Sequence, residues 1–385
     1  MDRVALVNCD NYERDRVEKA VHRAFLLLGG IDALIKPGMR VLVKPNLMRK
    51  SAPELCAVTH PEVIRAVVRE VEAAGGRAVV ADSPGGAYNP SVLKGIYAAT
   101  GLESTLRDTH AELNLNCAQQ RVEFPQAEKL REFPVIEPLL QADFVINVCK
   151  LKSHTLAVYS GTVKNLYGII PGLTKAEFHF RFQEERDFSN MMVDLCEYAA
   201  PGLNLVDAIW GMEGEGPGSG DPRKLGFLVA SQSPYAADIC AAGMVGYGID
   251  EIPMLAEARR RGLAPTEFTL VGDDPALLKV EDFKRASRES TSILRRRVPR
   301  LLVKPLERYL GMRPRILPKR CIRCGICARS CPVHTIEIGK KSAKIHASSC
   351  IRCFCCMEFC PEKAIRAQHS WVVSMVMALT GEKKE

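Results

Sequence analysis

Nine cysteines crowd residues 321–360 and constrain this chain more than any other feature of its sequence. Eight of them form two runs of identical spacing, C-x2-C-x2-C-x3-C-P, which begin at Cys321 and Cys350. A cubane iron–sulfur cluster needs four thiolates around its iron corners, and this spacing supplies them. The ninth thiol, Cys355, falls outside the pattern and is expected to pack as a small apolar side chain. The spacing therefore predicts two 4Fe–4S clusters.

The two runs repeat at an interval of 29 residues, the separation of Cys321 from Cys350. In such a repeat the fourth cysteine of each run is expected to bind the cluster that is held by the first three cysteines of the other run. The predicted ligand sets are Cys321, Cys324, Cys327 and Cys360 for one cluster, and Cys350, Cys353, Cys356 and Cys331 for the other. The segment resembles the two-cluster bacterial ferredoxin domain. Zinc sites use longer gaps between C-x2-C pairs, and disulfide frameworks are typical of secreted chains.

The rest of the composition is that of an ordinary globular protein. The chain has 385 residues, and its longest apolar runs fall short of the roughly 18 residues that span a membrane. The other six cysteines are scattered without metal-binding spacing, which fits a reducing compartment. Oxygen-sensitive clusters also suggest an anaerobic setting. The sequence therefore predicts a cytoplasmic protein with no transmembrane segment.

Much of the formal net charge of +8 lies in residues 291–318, which combine arginines and lysines with prolines and are expected to form a linker. Among these cations Tyr309 is the one aromatic residue, which argues against a nucleic-acid surface. The cations would instead dock on the more acidic N-terminal domain or bind an acidic redox partner. The apolar tail, residues 369–385, is expected to form a helix that packs on the ferredoxin-like domain at 319–368 or on a second copy of the chain, giving a homodimer.

Residues 1–290 alternate strand and helix signals. The predicted strands are residues 4–7, 40–44, 77–81, 143–148 and 203–207, and the predicted helices include 14–28 and 61–74. Pro61 is expected to start the second helix and Thr59 to cap it. This alternation predicts an α/β fold with a mainly parallel sheet and helices on both faces. In that architecture functional residues lie at the carboxyl ends of the strands.

Polar residues do cluster where these strands end. The candidate catalytic residues are His154, Lys152, Lys164 and Asp82. The candidate ligand-binding or cofactor-binding residues are Lys44, Asn46, Ser83, Gly85, Lys150, Asn165 and Glu213. Several lysines around one cleft suit an anionic ligand, and histidine titrates near neutrality, which suits proton transfer. The glycine-rich stretch at residues 211–220 lacks the spacing of a phosphate-binding loop and favours a flexible lid.

The strand-end motifs resemble the domain-of-unknown-function family 362, found in iron–sulfur proteins of anaerobic bacteria and archaea. The motifs that carry the resemblance are Val43-Lys-Pro-Asn46, Thr59-His-Pro61, Asp82-Ser-Pro-Gly85, Lys150-Leu-Lys-Ser-His154 and Val163-Lys-Asn-Leu-Tyr-Gly168. A C-terminal ferredoxin domain is a common companion in that family, so the resemblance implies the two-part architecture. It does not imply a reaction.

Three hypotheses about function follow. The leading one is an iron–sulfur oxidoreductase that passes electrons between a donor or acceptor protein and an anionic small molecule in the N-terminal cleft, with a flavin or a further metal left open. The second is a non-catalytic electron-transfer subunit that docks into a larger redox complex. The third is a metal-dependent enzyme that is not a redox enzyme and resembles lactate racemase, to which the Asp82-Ser-Pro-Gly85 loop bears a likeness.

Overall fold

The computed structural model describes residues 1–286 and 312–368. The predicted tail helix at 369–385 and most of the predicted linker, residues 291–311, lie outside the described residues. The strands are β1 (Asp2–Asn8), β2 (Arg40–Pro45), β3 (Arg77–Val80), β4 (Glu112–Leu113), β5 (Gln119–Glu123), β6 (Glu132–Ile136), β7 (Phe144–His154), β8 (Val158–Ser160), β9 (Leu203–Glu213), β10 (Asp221–Ser231), β11 (Phe268–Gly272), β12 (Arg313–Ile316), β13 (Ile336–Ile338), β14 (Ala343–Ile345) and β15 (Ile365–Gln368).

The helices vary from single turns to four turns in length. They are α1 (Arg14–Leu27), α2 (Pro61–Ala73), α3 (Pro90–Ala99), α4 (Leu102–Thr105), α5 (Glu137–Leu140), α6 (Thr162–Asn165), α7 (Thr174–Arg181), α8 (Glu185–Ala199), α9 (Pro234–Met244), α10 (Pro253–Arg260), α11 (Pro275–Leu278), α12 (Ile326–Arg329) and α13 (Cys355–Glu358). Short 3-10 turns cover Pro53–Leu55, Leu166–Ile169, Ile249–Glu251 and Pro318–Arg320.

A nine-stranded mixed sheet forms the N-terminal part, in the order β11, β1, β10, β9, β7, β2, β3 and β4, with β8 paired to β7. The pairs along β9, β7, β2, β3 and β4 are all parallel. Strand β10 runs antiparallel to both β1 and β9. The mainly parallel α/β sheet is confirmed, and β10 is an addition that the sequence analysis did not predict.

Helices cover both faces of the sheet, so successive residues of its strands pack alternately into two separate hydrophobic cores. In β1, Val4 and Leu6 pack with side chains of α8, α9 and α10, whereas Ala5 and Val7 pack with those of α1 and α2. Alternation of this kind is the consequence of the two-residue repeat of a strand. Continuous apolar strands between two helix layers are the pattern expected of a parallel sheet.

The start of α2 differs in one detail from the prediction. Pro61 does open the helix, but the cap is His60, whose side chain accepts a hydrogen bond from the backbone N–H of Glu62. Thr59 is used elsewhere: its hydroxyl donates to the carbonyl of Val148 and accepts from the backbone N–H of Asn46. Thr59 therefore ties the residue that follows β2 to the middle of β7.

The cysteine-rich part has the internal symmetry that its sequence repeat predicts. Helix α12 and helix α13 are each one turn long and begin 29 residues apart, at Ile326 and Cys355. The unusual positive φ angles recur at the same interval, at Arg323 and Arg352 and again at Gly325 and Phe354. Strand β12, at residues the sequence analysis placed in the linker, pairs with β15, while β13 pairs with β14. The two halves are thus copies of one cluster-binding unit.

Within the described residues, every helix is too short or too polar to cross a lipid bilayer.

Candidate functional site

The polar motifs at the ends of β7 and β9 lie within strands, and these strands are longer than the sequence suggests. The predicted strand at 143–148 continues to His154, and the one at 203–207 continues to Glu213. Their pairing is irregular between Lys150 and Lys152, where the register shifts. The extension places the lysine-rich motif inside the protein, with Lys150, Lys152 and His154 all nearly inaccessible to solvent.

Two of the candidate lysines form buried ion pairs. Lys44 Nζ lies 2.8 Å from Asp82 Oδ1, and the other carboxylate oxygen of Asp82 accepts the backbone N–H of Leu47 at 2.6 Å. A Cβ atom at Gly168 would lie 1.9 Å from Asp82 Oδ1, so only glycine leaves room for this pair. Lys44 and Asp82 therefore neutralise each other at the floor of the site.

The second pair joins β7 to β9. Lys150 Nζ lies 2.6 Å from Asp207 Oδ2 and also donates to the hydroxyl of Tyr12. Asp207 accepts that hydroxyl at 2.9 Å and the backbone N–H of His60 at 3.0 Å. Every acceptor and donor of this pair is used, which is the condition under which a buried ion pair is tolerated.

A cavity of about 60 Å³ lies beside the first pair. Its lining residues come from the sheet edge, from α6 and α7 and from the cysteine-rich segment: Asn46, Met48, Asp82, Ser83, Gly85, Lys152, His154, Ser160, Lys164, Asn165, Tyr167, Gly168, Lys175, Pro217, Glu358 and Phe359. One water molecule needs roughly 10–15 Å³ of such space, so the cavity has room for about four waters or a ligand of a few heavy atoms. Most of the predicted site residues therefore do meet at one place.

The cysteine-rich segment closes this cavity through residues that follow Cys356. Phe359 lies directly on Gly85, where a Cβ atom would come within 1.7 Å of its ring. The buried Arg49 fixes the same segment, because its guanidinium donates to the carbonyl oxygens of Glu358 at 3.0 Å and of Gly218 at 2.6 Å. The missing side chain at Gly85 therefore leaves room for the ring of Phe359 from the cysteine-rich domain. This is a packing role and differs from the ligand-binding role that was predicted for Gly85.

Lys164 differs from the paired lysines because no acidic group holds it. In the described part of the chain its ammonium makes no hydrogen bond or ion pair, and the rings of Tyr167, at 4.7 Å, and Phe188, at 5.8 Å, lie beside it. Burial lowers the pKa of Lys164, and the Glu358 carboxylate offsets part of that shift. A desolvated cation without an ion pair is costly, so Lys164 is the candidate in this cavity for binding an anion.

His154 faces the same cavity with a defined tautomer. Its Nδ1 accepts the backbone N–H groups of Leu156 and Ala157, both at 3.1 Å, so the ring proton belongs on Nε2. Nε2 lies 3.3 Å from Glu358 Oε1 but out of line for a hydrogen bond, and neither atom has another protein partner. Burial lowers the pKa of His154. The geometry therefore presents an N–H donor to the cavity.

Two further lysines lie at the cavity wall with pKa values near neutrality. Burial, with Lys164 and other cations nearby, lowers the pKa of Lys152 to about 7, although its ammonium donates to Asn46 Oδ1 and to the carbonyl of Ala57, both at 2.9 Å. Burial also lowers the pKa of Lys175 to about 7. Both groups can therefore gain or lose a proton near pH 7.

The remaining candidates have separate roles. Asn165 donates to the carbonyl of Lys44 and to Asn147 Oδ1, which leaves its own Oδ1 buried without a partner at the cavity. Ser83 accepts the backbone N–H of Gly172 at 2.7 Å. Glu213 is absent from the cavity lining and accepts the backbone N–H of Lys284 at 3.1 Å.

Sequence reasoning missed Glu358, Phe359, Tyr167 and Lys175. Glu358 and Phe359 occupy the gap between two cluster-binding cysteines, where the motif specifies only spacing. Burial alone would raise the pKa of Glu358, but the neighbouring His154 and Lys164 lower it to about 2. The presence of a glutamate between two cluster cysteines was the one feature of the sequence that could have pointed to Glu358. Its place in the cavity, however, depends on how the cysteine-rich domain docks on the N-terminal domain.

The structure places the eight predicted cluster cysteines near one another. Cys321, Cys324, Cys327 and Cys360 line one small cavity, as the first predicted set requires. Cys331 and Cys356 share a buried core with Cys327, and the thiol of Cys356 has Cys353, Cys350, Cys327 and Cys331 among its electrostatic neighbours. Backbone N–H groups reach several sulfurs, as from Ala343 to Cys321 and from Ala364 to Cys360. Such N–H···S contacts are typical of iron–sulfur ligands, so these residues fit iron–sulfur clusters, and the division into two sets stays a prediction. Cys355 is fully buried.

Both parts of the chain match families of known proteins. Residues 41–243 match the family model described as domain of unknown function DUF362, and residues 313–361 match the 4Fe-4S dicluster domain. A thylakoid-associated protein of Synechocystis sp., sll1697, is 32% identical over 290 residues, which cover 73% of this chain and 87% of that protein.

A solved structure was also matched, that of the lactate racemase apoprotein from Thermoanaerobacterium thermosaccharolyticum. The identity is 16% and the TM-score 0.36, over 54% of this chain and 50% of that chain. The chain therefore spans half the length of that racemase. A likeness at this level says nothing about the reaction.

Proposed function

The chain belongs to the DUF362 family and carries a 4Fe–4S dicluster ferredoxin domain, and from this premise we propose that it is an iron–sulfur oxidoreductase. Its substrate would be a small anion bound in the cavity between Lys164 and the segment that follows Cys356. Two clusters, held by the two cysteine sets, would supply single electrons there. The ferredoxin domain by itself gives the chain electron-transfer capacity.

One observation carries the proposal: buried polar groups without partners meet beneath a cluster-binding segment. Asn165 Oδ1, His154 Nε2 and Glu358 Oε1 belong to residues that line the cavity, and none has a hydrogen-bond partner among the described residues. Lys164, which lines the same cavity, makes no ion pair there. Native interiors rarely leave such groups unmatched. A ligand with an anionic end for Lys164 and a hydrogen-bond donor for Asn165 and Glu358 would match them.

The residues divide the work of binding and proton transfer. Lys164 would hold the negative charge of the ligand, and His154 would donate its Nε2 proton in a hydrogen bond. His154 is a poor proton shuttle in this proposal, since its only basic nitrogen is occupied by two backbone N–H groups. Lys152 and Lys175, whose pKa values are about 7, would supply the protons that balance each electron taken up.

The size of the cavity narrows the ligand class. About 60 Å³ suits a carboxylate of two to four carbons better than a flavin or a nucleotide in this closed arrangement. The electron donor would be a carrier protein that docks on the ferredoxin domain. A cytoplasmic location stays a prediction, as does an anaerobic setting.

Reoxidation of the clusters tests the proposal. The full chain, loaded with iron and sulfide without oxygen and reduced with dithionite, is mixed with glyoxylate or with pyruvate while the cluster absorbance is followed. We expect at least one compound to reoxidise the wild type and the exposed-surface control Lys94→Met, and to fail with Lys164→Met.

Equal reoxidation rates in all three proteins would contradict the cavity as the site of electron transfer. If none of the compounds reoxidises the wild type, small molecules retained by the purified protein are identified by mass spectrometry after denaturation. A wild type that retains no small anion and reacts with none would favour the electron-transfer subunit over an enzyme.

A further inference from the structure

The two cysteine sets differ in what surrounds them. The run that begins at Cys350 continues into the buried residues 354–359, which close the cavity. The run that begins at Cys321 faces outwards, and Cys324 is the exposed cysteine among the eight. The cluster site formed with Cys324 is therefore the outer one.

Two large apolar side chains lie exposed beside this outer site. Ile322 is 59% exposed and Ile338 is 42% exposed, and both line the cavity formed by Cys321, Cys324, Cys327 and Cys360. Scattered exposed apolar residues are ordinary. Two that flank an exposed cluster ligand give a patch on which another protein can pack closely.

Basic side chains ring the same patch. In residues 319–341 six cations are exposed, namely Lys319, Arg320, Arg323, Arg329, Lys340 and Lys341. Two carboxylates lie nearby: Glu337, 3.1 Å from His346, and the exposed Glu362, which lines the same cavity. An oxidised cubane with four thiolates contributes only about −2, so the face stays positive when the cluster is present.

Backbone contacts hold two of these cations at the rim. Arg323 donates to the carbonyl of Lys340 at 3.0 Å, and Arg329 donates to the carbonyl of Cys324 at 3.3 Å. The positive charge is thus fixed around the cluster site. Charge of one sign around a small apolar centre raises the association rate of an oppositely charged partner.

We propose that this face, defined by Ile322, Cys324, Ile338 and the six cations, is the docking site for an acidic electron-carrier protein. Electrons would enter at the outer cluster site and leave towards the cavity at the inner one. This docking site does not depend on the identity of the cavity ligand, and it holds for an electron-transfer subunit as well as for an enzyme.

The rate of reduction by an acidic carrier tests the docking site. Cluster-loaded full chain is mixed in a stopped-flow instrument with a reduced acidic plant-type ferredoxin, at low and high salt. The double variant Lys340→Glu/Lys341→Glu reverses two exposed charges of the face. The matched control, Lys36→Glu/Arg107→Glu, reverses two exposed charges on the N-terminal domain.

We expect the face variant to lose roughly tenfold or more in rate at low salt, the scale of electrostatic steering, and to lose most of its salt dependence. The control should keep the wild-type rate, and dithionite should reduce all proteins alike. Equal rates and equal salt dependence in variant and control would overturn the proposal.

A second copy of this chain is the rival occupant, because residues 1–290 carry more acidic than basic side chains. Analytical ultracentrifugation at low salt distinguishes a second copy of the chain from an acidic carrier as the occupant of the face. A wild-type dimer that the face variant abolishes, with unchanged reduction rates, would make the face a self-interface and overturn the proposal. Iron content is measured for every protein. If the double variant loses iron, Lys319→Glu replaces it, because Lys319 precedes both cysteine runs.

Discussion

Two sets of buried lysines meet at one edge of the sheet and differ in their partners. Lys44 and Lys150 each lie within 2.8 Å of an aspartate carboxylate, which also accepts a backbone N–H group. Lys164 is also buried, but it makes no ion pair in the described part of the chain; two aromatic rings lie beside it, and the Glu358 carboxylate acts on it only at longer range. The paired lysines hold strands together, whereas in our proposal the unpaired one binds a ligand.

Burial of a charge therefore does not by itself mark a site. A buried ion pair costs desolvation that its own attraction offsets, so it needs nothing from outside. A buried cation without an ion pair carries a similar cost, and binding an anion lowers that cost. Substitutions of the two kinds of lysine should therefore have opposite effects on stability.

The largest expected effect is on stability. Lys150→Met leaves Asp207 buried without its cation, and breaking such a pair costs about 3–5 kcal/mol. Lys164→Met removes an uncompensated charge, so the unfolding free energy should stay the same or rise. Urea unfolding followed by circular dichroism measures both. Similar losses in the two variants would show that Lys164 is paired in solution.

The next effect is on ligand affinity. Lys164→Met should weaken the binding of a small carboxylate by about 1.5–3 kcal/mol, the worth of a hydrogen bond to a charged group, which is a loss of roughly tenfold to a hundredfold. Calorimetric titration with glyoxylate or pyruvate measures this, with Lys94→Met as the exposed control. An unchanged affinity in Lys164→Met would place the anion elsewhere.

A smaller effect should follow from disturbing the roof of the cavity. Gly85→Ala drives a Cβ atom into Phe359, and overpacking of this kind costs about 1–3 kcal/mol. The neighbouring Gly86 has open space at its Cβ position, so Gly86→Ala is a matched control. Hydrogen exchange should rise at residues 354–360 in Gly85→Ala alone. The same exchange in both variants would mean that Phe359 does not rest on Gly85.

The smallest effect is the pH dependence. Lys152 and Lys175 have pKa values of about 7 in the folded chain and must be charged to attract an anion. The affinity for a small carboxylate should therefore be constant below pH 7. Above pH 7 it should fall by up to about tenfold per pH unit for each lysine that must stay protonated. Calorimetric titrations at pH 6, 7 and 8 measure it, and an affinity that rises with pH would contradict it.

The same lysines set a trend in stability. Because the ordinary lysine pKa of 10.5 lies above the folded value of about 7, the unfolded chain binds more protons between these two limits. Stability should therefore increase as the pH rises through this window.

Local patterns predicted the fold class and five strands of the main sheet, but not β4, β8, β10 or β11. Apolar runs gave β1, β2, β3 and the first halves of β7 and β9, and the proline and glycine signals gave α1 and α2 within a residue or two. The cysteine repeat predicted both halves of the small domain, because cluster ligation fixes spacing directly. Strand β10 was missed, since its antiparallel place between β1 and β9 depends on contacts far apart in the sequence.

The site was harder to predict than the fold. The strand-end pattern correctly grouped Lys152, His154 and Lys164. Aspartates that could balance the lysines were visible at other strand ends, but local pattern does not tell which lysines Asp82 and Asp207 pair with. Glu358 could not be found because its place in the cavity follows from the docking of one domain on another. Long-range pairing and docking, rather than local pattern, decide which charged residues are available to a ligand.

The most direct test of the central claim is a crystal structure of the cluster-loaded chain, grown without oxygen in the presence of the carboxylate that binds most tightly. We expect density for a small anion in the cavity, within hydrogen-bond distance of Lys164 Nζ, with Lys44 and Lys150 still paired to their aspartates. A structure in which Lys164 forms an ion pair with a protein carboxylate, and the cavity holds only water, would contradict it.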